Sequence, residues 1–379
     1  MKCRTTLGIA LFIAGCVLIG SVRPTAACTG IRIKTQDGSV LAARTLEFAA
    51  NLQSEVIVIP RATEFVGTAP GGGPGLTVTS KYAMLGANGF GLPAIVDGLN
   101  ERGLAVAIFY FPGYAKYQEI SPNDVGKAIA PWQLPTYLLG QCADVDEAVR
   151  AVRAVRVGAV VQKDLNMAPP CHYVIHDAGG RCVVVEYVAG QLAIHQNPLG
   201  VITNSPDFDW HVTNLRNYVN LTVNNVPPVD LSGLRFSSFG QGSGMLGLPG
   251  DFTPPSRFVR AVAFSQSALP AATARDGVLQ AFHILNQFDI PKGAVRGAEH
   301  GQEISDYTLW TSVADLTHHR YYFRTFENSR IRMVDLHQMD LDAKTIKKIS
   351  MGGDEVIEDL SGGKGDEGQG TRGGERPGN

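Results

Sequence analysis

Thr25-Ala26-Ala27-Cys28-Thr29-Gly30-Ile31-Arg32 is the stretch in which an apolar leader ends and an alternating, strand-like pattern begins. Upstream lie a basic start and an apolar run over residues 7–19, and small residues follow at 25–27. This order is typical of a secretory signal peptide cleaved after Ala27. Cleavage there would make Cys28 the first residue of the mature protein.

A cysteine at the first position of a chain carries a thiol and a free α-amine a few bonds apart. The pKa of an α-amine is about 7.7–8.0, so a good fraction is unprotonated near neutral pH. The amine can then take the proton of the thiol, as it does in enzymes with an N-terminal threonine. The sequence therefore predicts that Cys28 supplies both the nucleophile and its base.

Two other interpretations of this stretch stay open. Cys28 is an ordinary packed thiol in the first, because a free cysteine more often packs than reacts. In the second, Ile13-Ala14-Gly15-Cys16 acts as a lipobox, which would place a lipid on Cys16 and leave Cys28 internal. The apolar run continues through residues 17–19, beyond that proposed cut, and this argues against a lipoprotein.

The composition is that of an ordinary globular protein. The chain has 379 residues, 44% of them hydrophobic, and this is enough to form a large core. Its net charge of −2 gives no electrostatic reason to expect nucleic acid or an anionic membrane as partner. Only the leader resembles a membrane span, and it is short for one. Neither a CxxC nor an HExxH pattern occurs, so no metal and no cofactor is expected.

Four cysteines remain after cleavage: Cys28, Cys142, Cys171 and Cys182. Cys171 and Cys182 flank a predicted turn and are candidates for a disulfide in an oxidising compartment. Their spacing does not fix the register of the two strands.

The apolar pattern predicts an α+β chain of alternating strand and helix blocks. Asp37-Gly38 between two alternating runs indicates a hairpin, which would bring Arg44 and Glu47 back beside the start of the chain. Helical spacing occurs at 145–155 behind Asp144 as N-cap, and again at 210–220, 256–268 and 271–288.

Two segments are predicted to be irregular. Residues 242–247 fit GxGxxG literally, but no strand precedes them and prolines follow, so we interpret them as a loop. From residue 351 the chain is Gly-rich and charged, which is typical of a disordered tail.

Five separate stretches, in this order along the chain, match the motifs of one family. They are Cys28-Thr29 and residues 43–48, 97–104, 203–210 and 248–260. Together they resemble the choloylglycine hydrolases, a family that includes bile salt hydrolases and penicillin V acylases. The resemblance covers roughly residues 28–340, and the exported leader suggests the Gram-negative branch. Between the leader over 1–27 and the tail over 351–379, it implies a single domain over 28–350. It also implies the four-layer αββα sandwich of the N-terminal nucleophile hydrolases, which cleave linear amide C–N bonds.

The resemblance implies catalytic roles for five residues. Cys28 would attack the amide carbonyl, and the positive charge of Arg44 would favour its thiolate. Glu47 stands where the family usually has aspartate, which orients the α-amine, and its extra methylene changes its reach. Asn204 would donate an amide N–H to the oxyanion, and Arg257 would hold the polar network together. Each of three residues also has a structural alternative. Arg44 would be a surface arginine, Asn204 a turn residue, and Arg257 part of an ion pair on a helix surface.

Three aromatic residues are predicted to shape the substrate pocket. Tyr110 stands where many bile salt hydrolases have asparagine and many penicillin acylases have tyrosine, and its backbone N–H would serve the oxyanion. Taken alone, an aromatic in an apolar strand is usually part of the core. Phe111 and Tyr114, in the loop 111–115, would line the pocket for a flat or greasy acyl group.

These observations predict a periplasmic or secreted amidase that forms a thioester on Cys28. Penicillin V or another aromatic or fatty-acyl amide, such as an acyl-homoserine lactone, is the expected small-molecule substrate. Bile salt hydrolysis is the alternative within the class. A non-catalytic binding protein on this fold is the alternative outside it. A papain-like peptidase is poorly supported, because no histidine lies in a recognisable motif. Family resemblance further implies a homo-oligomer, a tetramer.

Overall fold

The computed structural model describes residues 27–299 and 302–361, so residues 1–26 of the predicted leader and 362–379 of the predicted tail lie outside it. Its strands are β1 Cys28–Lys34, β2 Val40–Phe48, β3 Glu55–Ile59, β4 Glu64–Thr68, β5 Pro74–Thr79, β6 Met84–Asn88, β7 Ile95–Asn100, β8 Leu104–Tyr110, β9 Ala128–Ile129, β10 Arg156–Val157, β11 Cys171–Asp177, β12 Cys182–Val188, β13 Gln191–Gln196, β14 Val229–Leu231, β15 Leu234–Phe236, β16 Val295–Glu299, β17 Gln302–Asp315, β18 Arg320–Thr325, β19 Arg332–Asp335 and β20 Lys347–Ser350.

Five α-helices separate these strands: α1 Leu134–Gln141, α2 Val145–Ala154, α3 Phe208–Asn214, α4 Pro254–Ser267 and α5 Ala274–Leu285. Short 3₁₀ helices lie at Pro122–Lys127, Pro131–Gln133, Leu215–Tyr218, Ser243–Met245, Asn286–Phe288 and Leu336–Gln338. The second to fourth residues of the GxGxxG segment thus form a short turn within a loop, and no strand runs directly into it, as predicted.

Two antiparallel sheets make up the centre of the fold. The first has the order β1-β2-β17-β18-β19, with β16 paired to β17, and the second has the order β13-β12-β11-β8-β7-β6-β3-β20. The predicted hairpin is present as β1 and β2, and it pairs Cys28 with Leu46 and Gly30 with Arg44. Cys28 therefore lies in β1, at the edge of the first sheet.

Side chains of the second sheet alternate between two cores. Val174 and Val184 belong to the core that lies between the sheets and extends to α4 and α5. The neighbouring Ile175 and Val183 belong to a second core, with α1 and α2. This period of two is what a strand buried on both faces requires. The layers follow the order α, β, β, α, which confirms the predicted sandwich.

Capping residues explain where the helices begin. The Asp144 side chain accepts a hydrogen bond from Glu147 N, which confirms it as the N-cap of α2. Helix α4 begins with Pro254 and Pro255, where the missing N–H groups have no intrahelical partner to lose. The helix predicted over 210–220 differs, because α3 ends at Asn214 and continues only as a 3₁₀ turn.

The prediction that Cys171 and Cys182 could form a disulfide is wrong. Strands β11 and β12 are neighbours, but their register pairs Cys182 with His176, five positions along β11 from Cys171. At about 3.3 Å per residue this offset is roughly 16 Å, far beyond disulfide reach. All four cysteines of the described chain are free and buried.

The predicted tail begins slightly too early. Strand β20 pairs with β3, and Met351 after it is buried. Arg332 Nη1 donates to the carbonyls of Met351 and Gly352, both at 2.8 Å. Residues 353–361 are exposed and contain no helix or strand.

Candidate active site

The β1–β2 hairpin brings Cys28, Arg44 and Glu47 together, as the sequence predicts. All three side chains line one cavity of about 110 Å³, and all three residues are buried. Because the cavity lies between the two sheets, groups from β1 and β2 face groups from β8 across it.

Arg44 is buried in the same cavity wall as Cys28 and is not a surface residue. Its Nη1 donates to Ile108 O at 2.6 Å, and its guanidinium lies 4.4 Å from the centre of the Phe109 ring. Burial raises the pKa of the Cys28 thiol, and the nearby charge of Arg44 opposes this without reversing it. The resting thiol is therefore protonated at neutral pH, and its reaction requires a base.

Asn204 contacts both the start of the chain and the opposite sheet. Its Oδ1 accepts from Cys28 N and from Arg257 Nη2, each at 2.7 Å. Its Nδ2 donates to Tyr110 O, also at 2.7 Å. Two donors face the oxygen and an acceptor faces the nitrogen, so the orientation of the amide is fixed.

Arg257 projects from α4 and is completely buried, so it is not a helix-surface residue. Its Nη1 donates to Cys28 O and, at 2.9 Å, to Thr29 Oγ1, while Nε donates to Phe252 O at 2.9 Å. Burial lowers its pKa to about 10, and the charges of Glu47 and Cys28 act in the opposite direction. Arg257 therefore joins the nucleophile, the Asn204 amide and the loop before α4.

Glu47 is buried with only half of its carboxylate satisfied. Its Oε1 accepts from Thr308 Oγ1 at 2.8 Å, whereas Oε2 has no hydrogen-bond partner in the described part of the chain. Burial raises its pKa to about 7, against the opposing charge of Arg257. Its backbone N–H donates to Ala27 O at 3.0 Å. Glu47 therefore has one buried carboxylate oxygen with no hydrogen-bond donor in this part of the chain.

The cavity wall is largely apolar. Its other members are Leu46, Phe48, Leu52, Gly89, Phe90, Leu92, Ala94, Val96, Ile108, Tyr110, Trp132, Gln162, Leu165, Pro169 and Cys171. Tyr110 is therefore a wall residue as predicted, and its ring meets Phe48 edge-on at 6.1 Å. Trp132 and Leu165 were missed, because they come from loops far away in the chain and no local pattern marks them.

The prediction for the loop 111–115 is wrong. Phe111 is fully buried, stacks on His172 with ring centroids 4.3 Å apart, and does not line the cavity. Tyr114 is partly exposed and is absent from the wall. A reversal of side-chain direction between Tyr110 and Phe111 follows from strand geometry, so only one of the two can face the cavity.

The described residues contain neither a cluster of metal-binding side chains nor a membrane-spanning helix. Within 27–299 and 302–361, no three or more His, Cys, Asp or Glu residues lie close enough to hold a metal ion. No helix in the same ranges is both long and apolar enough to cross a membrane.

The sequence profile of the linear amide C–N hydrolases, choloylglycine hydrolase family, matches residues 28–349. The chain belongs to the choloylglycine hydrolase family. Choloylglycine hydrolases similar to it include the bile salt hydrolase/transferase of Clostridium perfringens, 36% identical over 84% of this chain and 95% of that protein. The penicillin V acylase of Pectobacterium atrosepticum is 26% identical over 79% of this chain and 78% of its own.

Solved structures agree with this assignment. A variant of the conjugated bile acid hydrolase of Clostridium perfringens superposes with a TM-score of 0.78 at 32% identity, covering 88% of this chain and 100% of that one. The penicillin V acylase of Agrobacterium tumefaciens, at 24% identity and a TM-score of 0.68, shares the fold over 85% of this chain and 90% of its own. The protein is thus a linear amide hydrolase of the choloylglycine hydrolase family, with the predicted sandwich of the N-terminal nucleophile type.

Proposed function

We propose that the mature protein begins at Cys28 and hydrolyses aromatic or fatty-acyl amides through a thioester on that residue. The main support for this proposal is the environment of the Cys28 backbone nitrogen. Cys28 N lies 2.7 Å from Asn204 Oδ1, and Cys28 and Glu47 line the same cavity. After cleavage at Ala27, that nitrogen would become an amine bound to the Asn204 side-chain carbonyl oxygen beside a buried thiol.

The reaction uses groups already in place. The neutral α-amine takes the thiol proton, and the thiolate attacks the carbonyl carbon of the substrate. The oxyanion accepts from the second N–H of Asn204, since the first donates to Tyr110 O. The ammonium then protonates the leaving nitrogen, and the C–N bond breaks to leave a thioester. Water, deprotonated by the amine, releases the acid and restores the thiol.

The apolar wall supports a greasy or aromatic acyl group. Phe48, Phe90, Tyr110 and Trp132 line the cavity, and its charged members are Arg44 and Glu47 on β2. Such a wall favours burial of an apolar acyl chain while the amide lies at the thiol.

Bile salts are the second candidate, supported by a separate observation. The bile salt hydrolase/transferase of Clostridium perfringens is 36% identical to this chain, against 26% for the penicillin V acylase of Pectobacterium atrosepticum.

One substrate panel separates these candidates. Penicillin V, glycine- and taurine-conjugated bile acids and acyl-homoserine lactones are each incubated with protein shown by N-terminal sequencing to begin at Cys28. We expect the highest kcat/KM for penicillin V or an acyl-homoserine lactone, and none with Cys28→Ala. A preference for bile acids would replace the first candidate with the second. No turnover of any amide would favour a non-catalytic binding protein.

We also propose export, with the leader removed at Ala27 and the protein periplasmic or secreted. N-terminal sequencing of the exported protein is expected to give Cys-Thr-Gly-Ile. A lipid-modified chain beginning at Cys16 would contradict both this proposal and the N-terminal mechanism.

The β14–β15 hairpin supports the predicted homo-oligomer. Leu231, Leu234 and Phe236 on it are more than half exposed, an unusual cost for apolar residues facing water. Light scattering after size exclusion is expected to give the mass of a tetramer, and a monomer would contradict this part of the proposal.

A further inference from the structure

The Asn204 side chain projects from a turn that is fixed to the start of the chain. Ile202, just before the turn, pairs with Gly30 through N–H to carbonyl bonds of 2.8 and 3.1 Å. The turn then passes through Thr203 and Asn204 to Ser205, whose Oγ donates to Pro112 O at 2.7 Å. Strand pairing holds one end, so the direction of the Asn204 side chain depends on what holds the carbonyls within the turn.

His211 binds the first of these carbonyls. Its Nε2 lies 2.9 Å from Asn204 O, and because a carbonyl only accepts, that nitrogen carries the proton. The ring is buried and stacks on Phe258, with centroids 4.7 Å apart. Burial lowers the pKa of His211 to about 4, so the ring is neutral and donates through Nε2 alone.

His172 binds the adjacent carbonyl. Its Nε2 lies 3.0 Å from Thr203 O, and its Nδ1 lies 3.0 Å from Glu186 Oε1. Although burial raises the pKa of Glu186, hydrogen bonds from His172 and His195 lower it to about 2, so the carboxylate is an acceptor. Because a carbonyl only accepts, His172 Nε2 is the donor to Thr203 O, and the contact with Glu186 holds the other side of the ring.

Glu186 ties the same arrangement to α3. Its Oε1 also accepts from Phe208 N at 3.1 Å, and its Oε2 lies 3.4 Å from His195 Nε2. The carboxylate that orients His172 therefore also fixes the first turn of the helix that carries His211. The two histidines cannot shift independently of each other.

We propose that His172 and His211 are positioning residues that aim the Asn204 amide at the oxyanion by binding two consecutive carbonyls of its turn. The inference rests on the proposed function, because the oxyanion role of Asn204 belongs to it. One N–H of the Asn204 amide donates to Tyr110 O, so only the other is available to the oxyanion. A small rotation of the turn would point that second N–H away from the oxyanion. Misplacement of about 1 Å can cost about 100-fold in rate.

The test is a double-mutant cycle between each histidine and Asn204. His211→Phe keeps the stacked ring but removes the donor, and we expect kcat to fall about tenfold with KM nearly unchanged, since oxyanion bonds form in the transition state. In an Asn204→Ala background the same change should cost less than about twofold, because the group being aimed is gone. His211→Gln, whose amide can donate to Asn204 O, should recover part of the loss.

His176→Phe is the matched control. His176 lies on β11 with His172, is equally buried, and contacts Cys182 Sγ at 3.9 Å without reaching the turn. We expect its kcat to stay within about twofold of wild type at a similar Tm, as for a core substitution outside the site. Loss of kcat in this control equal to that in His211→Phe would point to general loosening of the core and overturn the inference.

Other outcomes are equally decisive. Equal losses from His211→Phe with and without Asn204, or unchanged kcat in both His211→Phe and His172→Phe, would overturn the inference. If His172→Phe fails to fold, because it leaves the Glu186 charge buried alone, the two His211 variants decide. A wild-type protein without turnover would instead reject the proposed function. Crystal structures of the variants then test positioning directly, through the distance from Asn204 Nδ2 to Tyr110 O.

Discussion

Burial and nearby positive charges shift the pKa of the Cys28 thiol in opposite directions. Burial raises its pKa while the charges of Arg44 and Arg257 act to lower it, and burial is the larger effect. A fixed cation thus does not by itself produce a thiolate in this site, and in the proposed mechanism the α-amine supplies the base. Cysteine sites with a histidine base meet the same requirement with a second residue.

Substitution of Cys28 tests covalent catalysis. We expect Cys28→Ala to lower kcat by more than about 1,000-fold, or about 4 kcal/mol of barrier. Cys28→Ser should also be poor, since a hydroxyl is much less acidic than a thiol. Tm measurements should show that both variants fold. Turnover by Cys28→Ala above a thousandth of the wild-type rate would reject this nucleophile.

Glu47 makes the free energy of unfolding depend on pH. Burial raises its pKa from 4.5 to about 7, so the fold favours the protonated form. Its stabilising contribution is complete below pH 4.5 and is lost as the pH rises through about 7. We expect Glu47→Gln to gain stability relative to wild type over this interval. Denaturant unfolding at pH 4.5, 6 and 8 measures the difference, and a pH-independent difference would contradict the assigned pKa.

The same substitution should change the pH–rate profile. If the carboxylate orients the α-amine, its loss lowers the pKa of that amine, because a nearby negative charge favours the ammonium. The acidic limb of kcat/KM should move to lower pH with a lower plateau, and Glu47→Asp should remain active. An unchanged limb and plateau in Glu47→Gln would mean that another carboxylate orients the amine.

Residue identities were predictable where motif and hairpin register agree. Arg44 and Glu47 follow from an Asp-Gly turn that returns the chain to Cys28, and the resemblance supplied Asn204 and Arg257. His172 and His211 were not predictable, because each acts on a backbone carbonyl and neither lies in a recognisable motif. Phe111 was misassigned because its place in a loop hid the alternation that turns it into the core.

At the scale of elements, β1 has no room for a side chain at Gly30. A Cβ there would lie 2.7 Å from the Phe109 ring and 2.9 Å from Ile202. We expect Gly30→Ala to move β1, to cost about 1–3 kcal/mol of stability by overpacking, and to lower kcat because Cys28 lies two residues away. Thermal unfolding and kinetics measure both effects.

The N-cap of α2 provides the matched control. Asp144→Ala removes the bond to Glu147 N and should cost about 1 kcal/mol. Helix α2 packs on the outer face of the second sheet, away from Cys28, so kcat should not change. A fall in kcat equal to that of Gly30→Ala at the same stability loss would show that β1 has no special role.

Local elements were easier to predict than their assembly. Period-two runs and an Asp N-cap identified the β1–β2 hairpin and α2, because those signals depend on neighbouring residues. The sheet orders depend on contacts between distant segments, such as β8 beside β11, and no local pattern specifies them. The five-position offset between Cys171 and Cys182 is a consequence of that missing register.

At the scale of the whole molecule, Cys28 lies where both sheets and α4 converge. Cys28 belongs to β1, its nitrogen donates to Asn204 Oδ1, and Arg257 donates from α4 to its carbonyl. We expect a protein that begins with Met-Ala27 to keep the Tm of wild type and lose at least about 100-fold in kcat, because its residue 28 nitrogen is an amide without basicity. Activity equal to that of the chain beginning at Cys28 would exclude the amine as base.

The peptide bond between Ala27 and Cys28 is buried, which restricts when a protease could cut it. Ala27 is 7% exposed and Cys28 is 3% exposed, with the Ala27 carbonyl bound to Glu47 N and the Cys28 nitrogen bound to Asn204. A protease binds its target as an accessible, extended strand, and this bond offers none once β1 has paired. If the leader is cut at Ala27, the cut must be made while the segment is unfolded, or by groups of the site itself. A separate protease would therefore have to cut before β1 pairs with β2, whereas cleavage by the site itself could follow folding.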